Sequence, residues 1–180
     1  MKQKAVRITI SGTPGSGKST VARYIAKQLK VKFFSVGEMA RKIAVKKGIS
    51  VDKLSEMAVK DSRIDYEIDK VHKTIKGNFV LDSRIAFEFF PDSFSIFLYC
   101  KPRVAAQRIW KDKRKTETFN LKQTEKEVER RAKLDIIRYK KHYGIDISDF
   151  ENYDVVIDTS EMDEKQVEKT VFDAVKKLYL

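Results

Sequence analysis

The feature that most constrains this chain is a glycine-rich loop at residues 12–19, which matches the pattern G-x-x-x-x-G-K-[ST] in full. A short β-rich run at 6–10 precedes the loop, and the stretch 21–29 that follows it has helical spacing. Backbone N–H groups in such a loop converge on phosphate oxygens, and the following helix adds its positive end. The sequence therefore predicts a strand, a phosphate-binding loop and a helix in succession.

The residue types in and near this loop predict how it binds ATP and Mg²⁺. We expect Lys18 to reach the β- and γ-phosphates of ATP and the Ser19 hydroxyl to bind Mg²⁺. Asp82 closes an apolar run at 79–81, and a strand there beside 6–10 would bring its carboxylate to the same metal ion. The predicted ATP-binding residues of this region are Gly12, Thr13, Pro14, Gly15, Ser16, Gly17, Lys18, Ser19 and Thr20.

Apolar runs alternate with helically spaced stretches along the rest of the chain. We predict strands at 31–35, 79–81, 95–100 and 154–157, and helices at about 38–47, 52–60, 61–76, 123–143 and 163–178, with another that begins at Pro102. The charged stretch 112–124 lacks apolar periodicity and predicts an exposed, mobile segment. With no repeat or linker, the pattern indicates one α/β domain of three layers, a central and mostly parallel sheet flanked by helices.

Composition limits the other function classes. No apolar run approaches the roughly 20 residues that cross a bilayer, so we expect no membrane partner. The single cysteine excludes an internal disulfide and a thiolate metal cage, which together with the lack of a span predicts a cytoplasmic protein. The net charge of +12 would suit nucleic acid, but the basic residues are spread among acidic ones, as on solvated helix faces. Nucleotides are therefore the expected partners, and nucleic acid is not.

Basic residues beyond the loop indicate where a phosphorylated acceptor would bind. Arg84 lies just past the strand predicted at 79–81, on the side of a parallel sheet where ligands bind. Arg41 lies about one turn into a predicted helix, where it could hold a phosphate, although an ordinary surface arginine is the more common explanation. Neither residue alone identifies the acceptor.

Three charged residues of the long helix share one face, because Arg131, Asp135 and Arg138 are spaced i, i+4 and i+7. Two interpretations stay open at this point. The residues form a salt-bridged surface stripe, or they belong to a lid that closes on the transferring phosphoryl group while Asp135 aims the arginines. The three residues alone favour the stripe, but Arg108 and Arg114 flank the charged segment and give the lid equal weight. Both arginines join the predicted ATP-binding set.

In combination these motifs resemble the nucleoside monophosphate kinases, and specifically the archaeal-type cytidylate kinases. The resemblance covers most of the chain, including 7–12 running into the loop, 35–38 with Arg41, 48–50, 129–147 and 153–159. It implies a three-layer P-loop NTPase fold in which an acceptor-binding segment at about 36–76 and a lid at about 112–130 cover the site.

The resemblance also implies roles for the residues that match. Arg41 and Arg84 would contact the acceptor α-phosphate, with Ser35 and Gly37 beside it. Arg131 and Arg138 would bridge the donor and acceptor phosphates, supported by Asp135; with Lys18, these three form the predicted catalytic set. Ser19 and Asp82 form the predicted metal set.

Two departures from the family leave the base of the acceptor open. Ser83 stands where the family tends to carry glycine, and Ile85 stands where bacterial relatives carry an aspartate that helps to read cytosine. Four charged residues could read the base instead, although their pattern favours an exposed helix face. They are Asp61, Arg63, Asp65 and Asp69.

The sequence thus predicts a monomeric, ATP-dependent kinase that phosphorylates CMP or dCMP. Three alternatives remain: a kinase of another small acceptor, such as another nucleotide, shikimate or a coenzyme precursor; a nucleotide-dependent RNA-binding or assembly factor; and a sensor that binds ATP without transferring a group. The intact Lys18 and Ser19 argue against the sensor.

Overall fold

The computed structural model describes residues 5–111 and 120–179. In chain order the elements are β1 (Arg7–Gly12), α1 (Lys18–Leu29), β2 (Lys32–Ser35), α2 (Val36–Lys46), α3 (Val51–Lys60), α4 (Ser62–Asp69), a 3₁₀ turn (Lys70–Thr74), β3 (Phe79–Asp82), α5 (Ala86–Phe89), β4 (Phe94–Tyr99), α6 (Pro102–Lys111), α7 (Leu121–Tyr143), a second 3₁₀ turn (Phe150–Asn152), β5 (Val155–Asp158) and α8 (Glu164–Tyr179).

The five strands form one sheet in the order β2-β3-β1-β4-β5, and every neighbouring pair is parallel. In the register, Ile10 lies opposite Asp82, Asp82 lies opposite Ser35, and Gly12 lies opposite Leu98. The predicted α/β fold with a parallel sheet is therefore confirmed. The carboxyl ends of β1, β2 and β3 meet at one edge, which is where the predicted metal and acceptor residues lie.

Helices cover both faces of this sheet, because alternate residues of β3 enter different hydrophobic clusters. Val80 packs with α1 and α8, whereas Phe79 and Leu81 pack with α2, α3 and α4. All three side chains are fully buried. Helices α2, α3 and α4, which belong to the predicted acceptor-binding segment, thus lie on the face of the sheet opposite α1, the helix that follows the phosphate-binding loop. This arrangement confirms the predicted three layers.

Several predicted boundaries were wrong. The helix predicted at 61–76 ends at Asp69 and continues only as a 3₁₀ turn. α7 begins at Leu121, since Asn120 and Gln123 cap it reciprocally, so residues 121–124 are helical and Thr124 is buried. Residues 112–119 of the segment predicted to be mobile, with Arg114, lie outside the described residues. The short α5 was missed because four residues carry no periodic signal.

Two smaller expectations agree with the structure. Cys100 is buried and packs with α6 and Val128 of α7, as expected for a structural cysteine. Within residues 5–111 and 120–179, no helix combines the length and apolar character that a bilayer span requires.

Candidate active site

The glycine-rich loop fits between β4 and α6 only because it lacks side chains at two positions. Gly12 has φ of +145°, and a Cβ there would lie 2.1 Å from the carbonyl oxygen of Leu98. Gly15 has φ of +73°, and its Cβ would lie 2.8 Å from the Cβ of Ala105. Gly17, by contrast, has open space around it and a φ of +89°. Glycine is therefore required at positions 12 and 15 by close approach as well as by conformation.

Thr13 anchors the loop to the end of β4. Its backbone N–H donates to Leu98 O over 3.1 Å, and its hydroxyl accepts from the N–H of Cys100 over 3.0 Å. The Thr13 carbonyl accepts from the Ser16 hydroxyl at 2.9 Å and from Lys18 Nζ at 2.6 Å. The ammonium group of Lys18 is thus held against the loop where phosphates would bind.

The predicted metal residues lie side by side at the carboxyl edge of the sheet. The Ser19 hydroxyl donates to Asp82 Oδ2 over 2.6 Å, and the Ser35 hydroxyl donates to the same oxygen over 3.1 Å. A hydroxyl beside a carboxylate, next to a phosphate-binding loop, is a donor set that suits Mg²⁺, which takes one or two protein oxygens and completes its shell with water and phosphate. In the part of the chain that the structure describes, no group of three or more His, Cys, Asp or Glu could hold a metal by itself.

Asp135 joins two of the predicted arginines into one cluster. Its Oδ2 accepts from Nε of Arg84 at 2.5 Å, and its Oδ1 lies 3.6 Å from Nη2 of Arg138. Nη1 of Arg84 also donates to the Gly12 carbonyl over 3.3 Å, so the cluster reaches the phosphate loop. Burial alone would lower the pKa of the Arg84 guanidinium, but the Asp135 carboxylate more than compensates and raises that pKa.

Arg138 is more deeply enclosed than a surface residue would be. It is 8% exposed, donates to the Tyr139 hydroxyl over 2.8 Å, and has Nε 3.4 Å from Oδ2 of Asp65. Asp135 is likewise only 8% exposed. The interpretation of these two residues as a solvated surface stripe is therefore excluded. Arg131 lies on α7 one turn before Asp135 and two turns before Arg138. Its Nε is 3.6 Å from a carboxylate oxygen of Glu127.

The predicted acceptor residues of α2 surround its first turn. Ser35 caps the helix by accepting from the N–H of Glu38 over 3.3 Å while it donates to Asp82. Arg41 is exposed, and its Nη1 would lie 3.6 Å from a Cβ at position 37, an ordinary contact distance, so the guanidinium lies beside Gly37. Arg41 thus faces solvent on the acceptor side, where a phosphate could reach it.

Arg108 lies on the other side of the loop, where the segment after β5 meets α6. Its Nη2 donates to the carbonyls of Thr159 at 2.6 Å and Met162 at 2.7 Å. The Thr159 hydroxyl accepts from Arg108 Nη1 at 3.0 Å and lies 3.5 Å from the Ser16 carbonyl. Arg108 therefore fixes the loop around 159–162 beside the phosphate loop, and a direct contact with ATP remains a prediction. Thr20 is exposed on α1.

The expectation of an exposed face was right for Asp61 and Arg63, which form a 2.8 Å ion pair at the surface. It was wrong for Asp65 and Asp69, which are 2% and 6% exposed. Burial raises the pKa of both carboxyls, that of Asp69 to about 6.

Sequence analysis named these two aspartates as possible base readers but favoured an exposed helix face, so it missed their burial. The available signal was that both follow directly after an isoleucine, and the pair Ile64 and Ile68 forms the buried stripe of α4. Asp69 accepts from the hydroxyl of Tyr143, and its backbone carbonyl lies 3.0 Å from Nδ1 of the buried His72. The aspartates therefore face α7 and the 3₁₀ turn.

Comparison with known proteins places this geometry in a family. A family model described as an AAA domain matches residues 8–132. The chain is 34% identical over 174 residues to the cytidylate kinase of Methanocella arvoryzae, covering 95% of this chain and 97% of that protein. It is 33% identical over 175 residues to the cytidylate kinase of Archaeoglobus fulgidus, covering 95% of each. The chain belongs to the cytidylate kinase family.

The resemblance inferred from the motifs is thereby confirmed, and with it the class of P-loop kinases that use a nucleotide as phosphoryl donor. Among solved structures, a shikimate kinase from Bacteroides thetaiotaomicron aligns with a TM-score of 0.67 over 97% of this chain and 99% of its own, at 16% identity. That likeness shows a shared fold of P-loop kinases and carries no information about the acceptor.

Proposed function

We propose that this protein transfers the γ-phosphoryl group of ATP to the α-phosphate of CMP, and also of dCMP. The observation that carries the proposal is the cluster in which Asp135 joins Arg84 and Arg138 while Arg84 also contacts the Gly12 carbonyl of the phosphate loop. Two guanidinium groups at that place suit an acceptor that itself carries a phosphate. The membership of the cytidylate kinase family supports CMP as that acceptor.

The reaction exchanges one phosphorus–oxygen bond for another. An oxygen of the CMP α-phosphate attacks the γ-phosphorus of ATP, the bond from that phosphorus to the β-bridging oxygen breaks, and the products are CDP and ADP. The attacking oxygen is already anionic near neutral pH, so the residues need not remove a proton. Catalysis then consists of positioning the two nucleotides and neutralising the charge spread over the transferring group.

On the donor side, the loop N–H groups and Lys18 would hold the β- and γ-phosphates. Ser19 and Asp82 would hold Mg²⁺, which when bound neutralises charge on the phosphate oxygens. Arg108 would support the donor site through the loop that follows β5, since it fixes Thr159 and Met162. Arg114 belongs to the same proposed set, outside the described residues.

On the acceptor side, Arg41 and Arg84 would hold the α-phosphate of CMP, with Ser35 and Gly37 lining the same space. Arg131 and Arg138 would approach the γ-phosphoryl group from α7 once both nucleotides are bound. We assign acceptor binding to the segment at about 36–76 and closure over ATP to a lid at about 112–130. The proposed enzyme acts as a monomer in the cytoplasm.

A panel of acceptors tests this function. Purified protein with ATP and Mg²⁺ is given CMP, dCMP, UMP, AMP, GMP or shikimate separately, and ADP release is followed. We expect CMP and dCMP to give the highest kcat/KM. Lys18→Ala, prepared in parallel, should lose turnover by about a hundredfold or more, because the charge developing on the phosphoryl group is no longer neutralised.

The outcomes separate the alternatives. Preference for another monophosphate would keep the reaction and change the base. Turnover in Lys18→Ala equal to that of the unmodified protein would refute the assigned site. No ADP release with any acceptor would refute the proposal.

A further inference from the structure

Helix α4 presents two buried carboxylates to α7, one turn apart. Asp65 meets Arg138, with Oδ2 3.4 Å from Nε, and Asp69 accepts from the hydroxyl of Tyr143. The side chains of both aspartates are at most 7% exposed. Buried carboxylates are costly unless they are paired, so each of these contacts fixes α4 relative to α7. Only the contact of Asp65 involves a residue proposed to handle phosphate.

Arg138 is held between two carboxylates that come from different elements. Asp135 lies 3.6 Å from its Nη2 within α7, and Asp65 lies 3.4 Å from its Nε across the interface with α4. The side chains of Arg138, Asp65 and Asp135 are 10%, 3% and 11% exposed. Low solvent exposure strengthens the attraction between these charges, because little water screens them. Removing either carboxylate would change where the guanidinium settles.

The Asp65–Arg138 contact acts through charge rather than through a hydrogen bond. Oδ2 of Asp65 and Nε of Arg138 are both buried, and neither has a hydrogen-bond partner among the described residues. Charge attraction depends less steeply on distance and angle than a hydrogen bond does. The guanidinium can therefore shift toward a phosphate oxygen without losing its hold on Asp65.

Three other contacts, spread along α7, join this helix to α3. Arg130 Nη1 lies 3.0 Å from a carboxylate oxygen of Glu56, Lys141 Nζ donates to the Val59 carbonyl over 3.0 Å, and His142 Nε2 lies 2.7 Å from the Ala58 carbonyl. Asp65 thus belongs to an interface that already joins α3 and α4 to α7. Its distinction is that the arginine it faces, Arg138, belongs to the proposed catalytic set.

We propose that Asp65 is a positioning residue for phosphoryl transfer, which holds the Arg138 guanidinium from the acceptor-side helix α4 while Asp135 holds it from α7. The inference rests on the proposed function for its kinetic meaning. It links acceptor binding to catalysis, since any movement of α4 on binding the acceptor displaces one of the two carboxylates that aim Arg138.

The kinetic test compares Asp65→Asn, Asp65→Glu and the control Asp69→Asn, which removes a carboxylate of equal burial from the same helix but leaves Arg138 its partners. With CMP and saturating ATP, Asp65→Asn should lower kcat by about tenfold to a hundredfold, the size of effect that misplacing a catalytic group by about 1 Å has. KM for ATP should stay close to that of the unmodified protein. Asp65→Glu should recover part of kcat, and Asp69→Asn should stay within about threefold.

A second readout is independent of turnover. The ¹H–¹⁵N correlation of the Arg138 side-chain Nε–H, assigned by its loss in Arg138→Lys, reports whether that guanidinium is held. In Asp65→Asn this signal should shift and broaden, whereas in Asp69→Asn it should match the unmodified protein. Thermal unfolding of the variants shows whether each remains folded under the assay conditions.

The two readouts separate the inference from the function on which it rests. If the unmodified protein phosphorylates CMP and Asp65→Asn keeps its kcat, Asp65 does not position Arg138. If the unmodified protein phosphorylates no acceptor, the proposed function fails, and the Arg138 signal alone decides the positioning: an unchanged signal in Asp65→Asn overturns it.

Discussion

Replacing Asp135 by asparagine removes one negative charge from the point where two arginines meet. The change keeps the size of the side chain, and the amide oxygen can still accept from Nε of Arg84, which lies 2.5 Å from the carboxylate. What disappears is the charge that offsets the repulsion between Arg84 and Arg138. The guanidinium of Arg138 retains Asp65 and the Tyr139 hydroxyl, whereas Arg84 retains the Gly12 carbonyl.

The expected losses of stability and of activity differ in size. Breaking a buried ion pair outright costs about 3–5 kcal/mol, but these remaining partners and the retained amide oxygen reduce the cost to about 1–3 kcal/mol. A domain of ordinary stability survives that loss. Activity should fall by about 10²- to 10³-fold in kcat, or about 2.7–4 kcal/mol, as when one preorganised donor to a developing charge is lost.

The assay combines ADP release with CMP as acceptor and urea unfolding of the same preparation. Glu129→Gln is the matched control, because it makes the same change of charge at an exposed position of α7. The control should keep both kcat and the free energy of unfolding. Near-normal kcat in Asp135→Asn would refute the view that this carboxylate aims the arginines. If activity falls only because part of the protein is unfolded, and kcat per folded molecule is unchanged, that view is refuted as well.

Two further predictions concern stability. Gly12→Ala should lower the free energy of unfolding by about 3 kcal/mol or more, because it combines backbone strain with a 2.1 Å clash against a carbonyl; Gly17→Ala, which has only the strain, should cost about 1–2 kcal/mol. Equal losses in urea unfolding would contradict this. The pKa of Asp69 is raised to about 6, so its contribution to stability is complete below its ordinary value of 3.8 and is lost as pH rises through about 6. The pKa of His72 is lowered from 6.5 to about 4, so its contribution is complete above 6.5 and is lost as pH falls through about 4. The contributions of Asp69 and His72 thus change with pH in opposite directions. Between pH 4 and 6.5 the free energy of unfolding of Asp69→Asn should therefore rise more steeply with pH than that of the unmodified protein, by up to about 3 kcal/mol. Parallel curves of unfolding free energy against pH for the two proteins would disprove this role of Asp69.

The parts of the site that could be predicted from sequence depend on local chemistry. The strand, loop and helix around Gly12–Lys18 follow from a contiguous pattern, and the position of Asp82 beside Ser19 follows once 79–82 is assumed to be the neighbouring strand. The common face of Asp135 and Arg138 follows from helical spacing. In each case the residues that interact lie in one motif, or in two elements whose adjacency the fold class implies.

The parts that could not be predicted depend on contacts between distant segments. A charged residue on a helix is usually solvated, and nothing near Asp65 indicates that its partner is Arg138, far along the chain on α7. The start of α7 was missed because its signal is the reciprocal cap of Asn120 and Gln123 rather than an apolar period. Arg108 was assigned to ATP because it flanks a charged segment, and its hydrogen bonds to main-chain carbonyls of the loop after β5 could not be inferred from the sequence.

Transfer of the labelled γ-phosphoryl group tests the central claim most directly. The protein is mixed with Mg²⁺, CMP and ATP that carries ³²P in its γ-phosphate, and the nucleotides are separated at early times. Label in the β-phosphate of CDP, formed in step with unlabelled ADP and absent in Lys18→Ala, is the result that the arginine cluster and the phosphate loop predict. Label that appears only in inorganic phosphate, at a rate that CMP does not change, would contradict transfer between nucleotides and leave an ATPase.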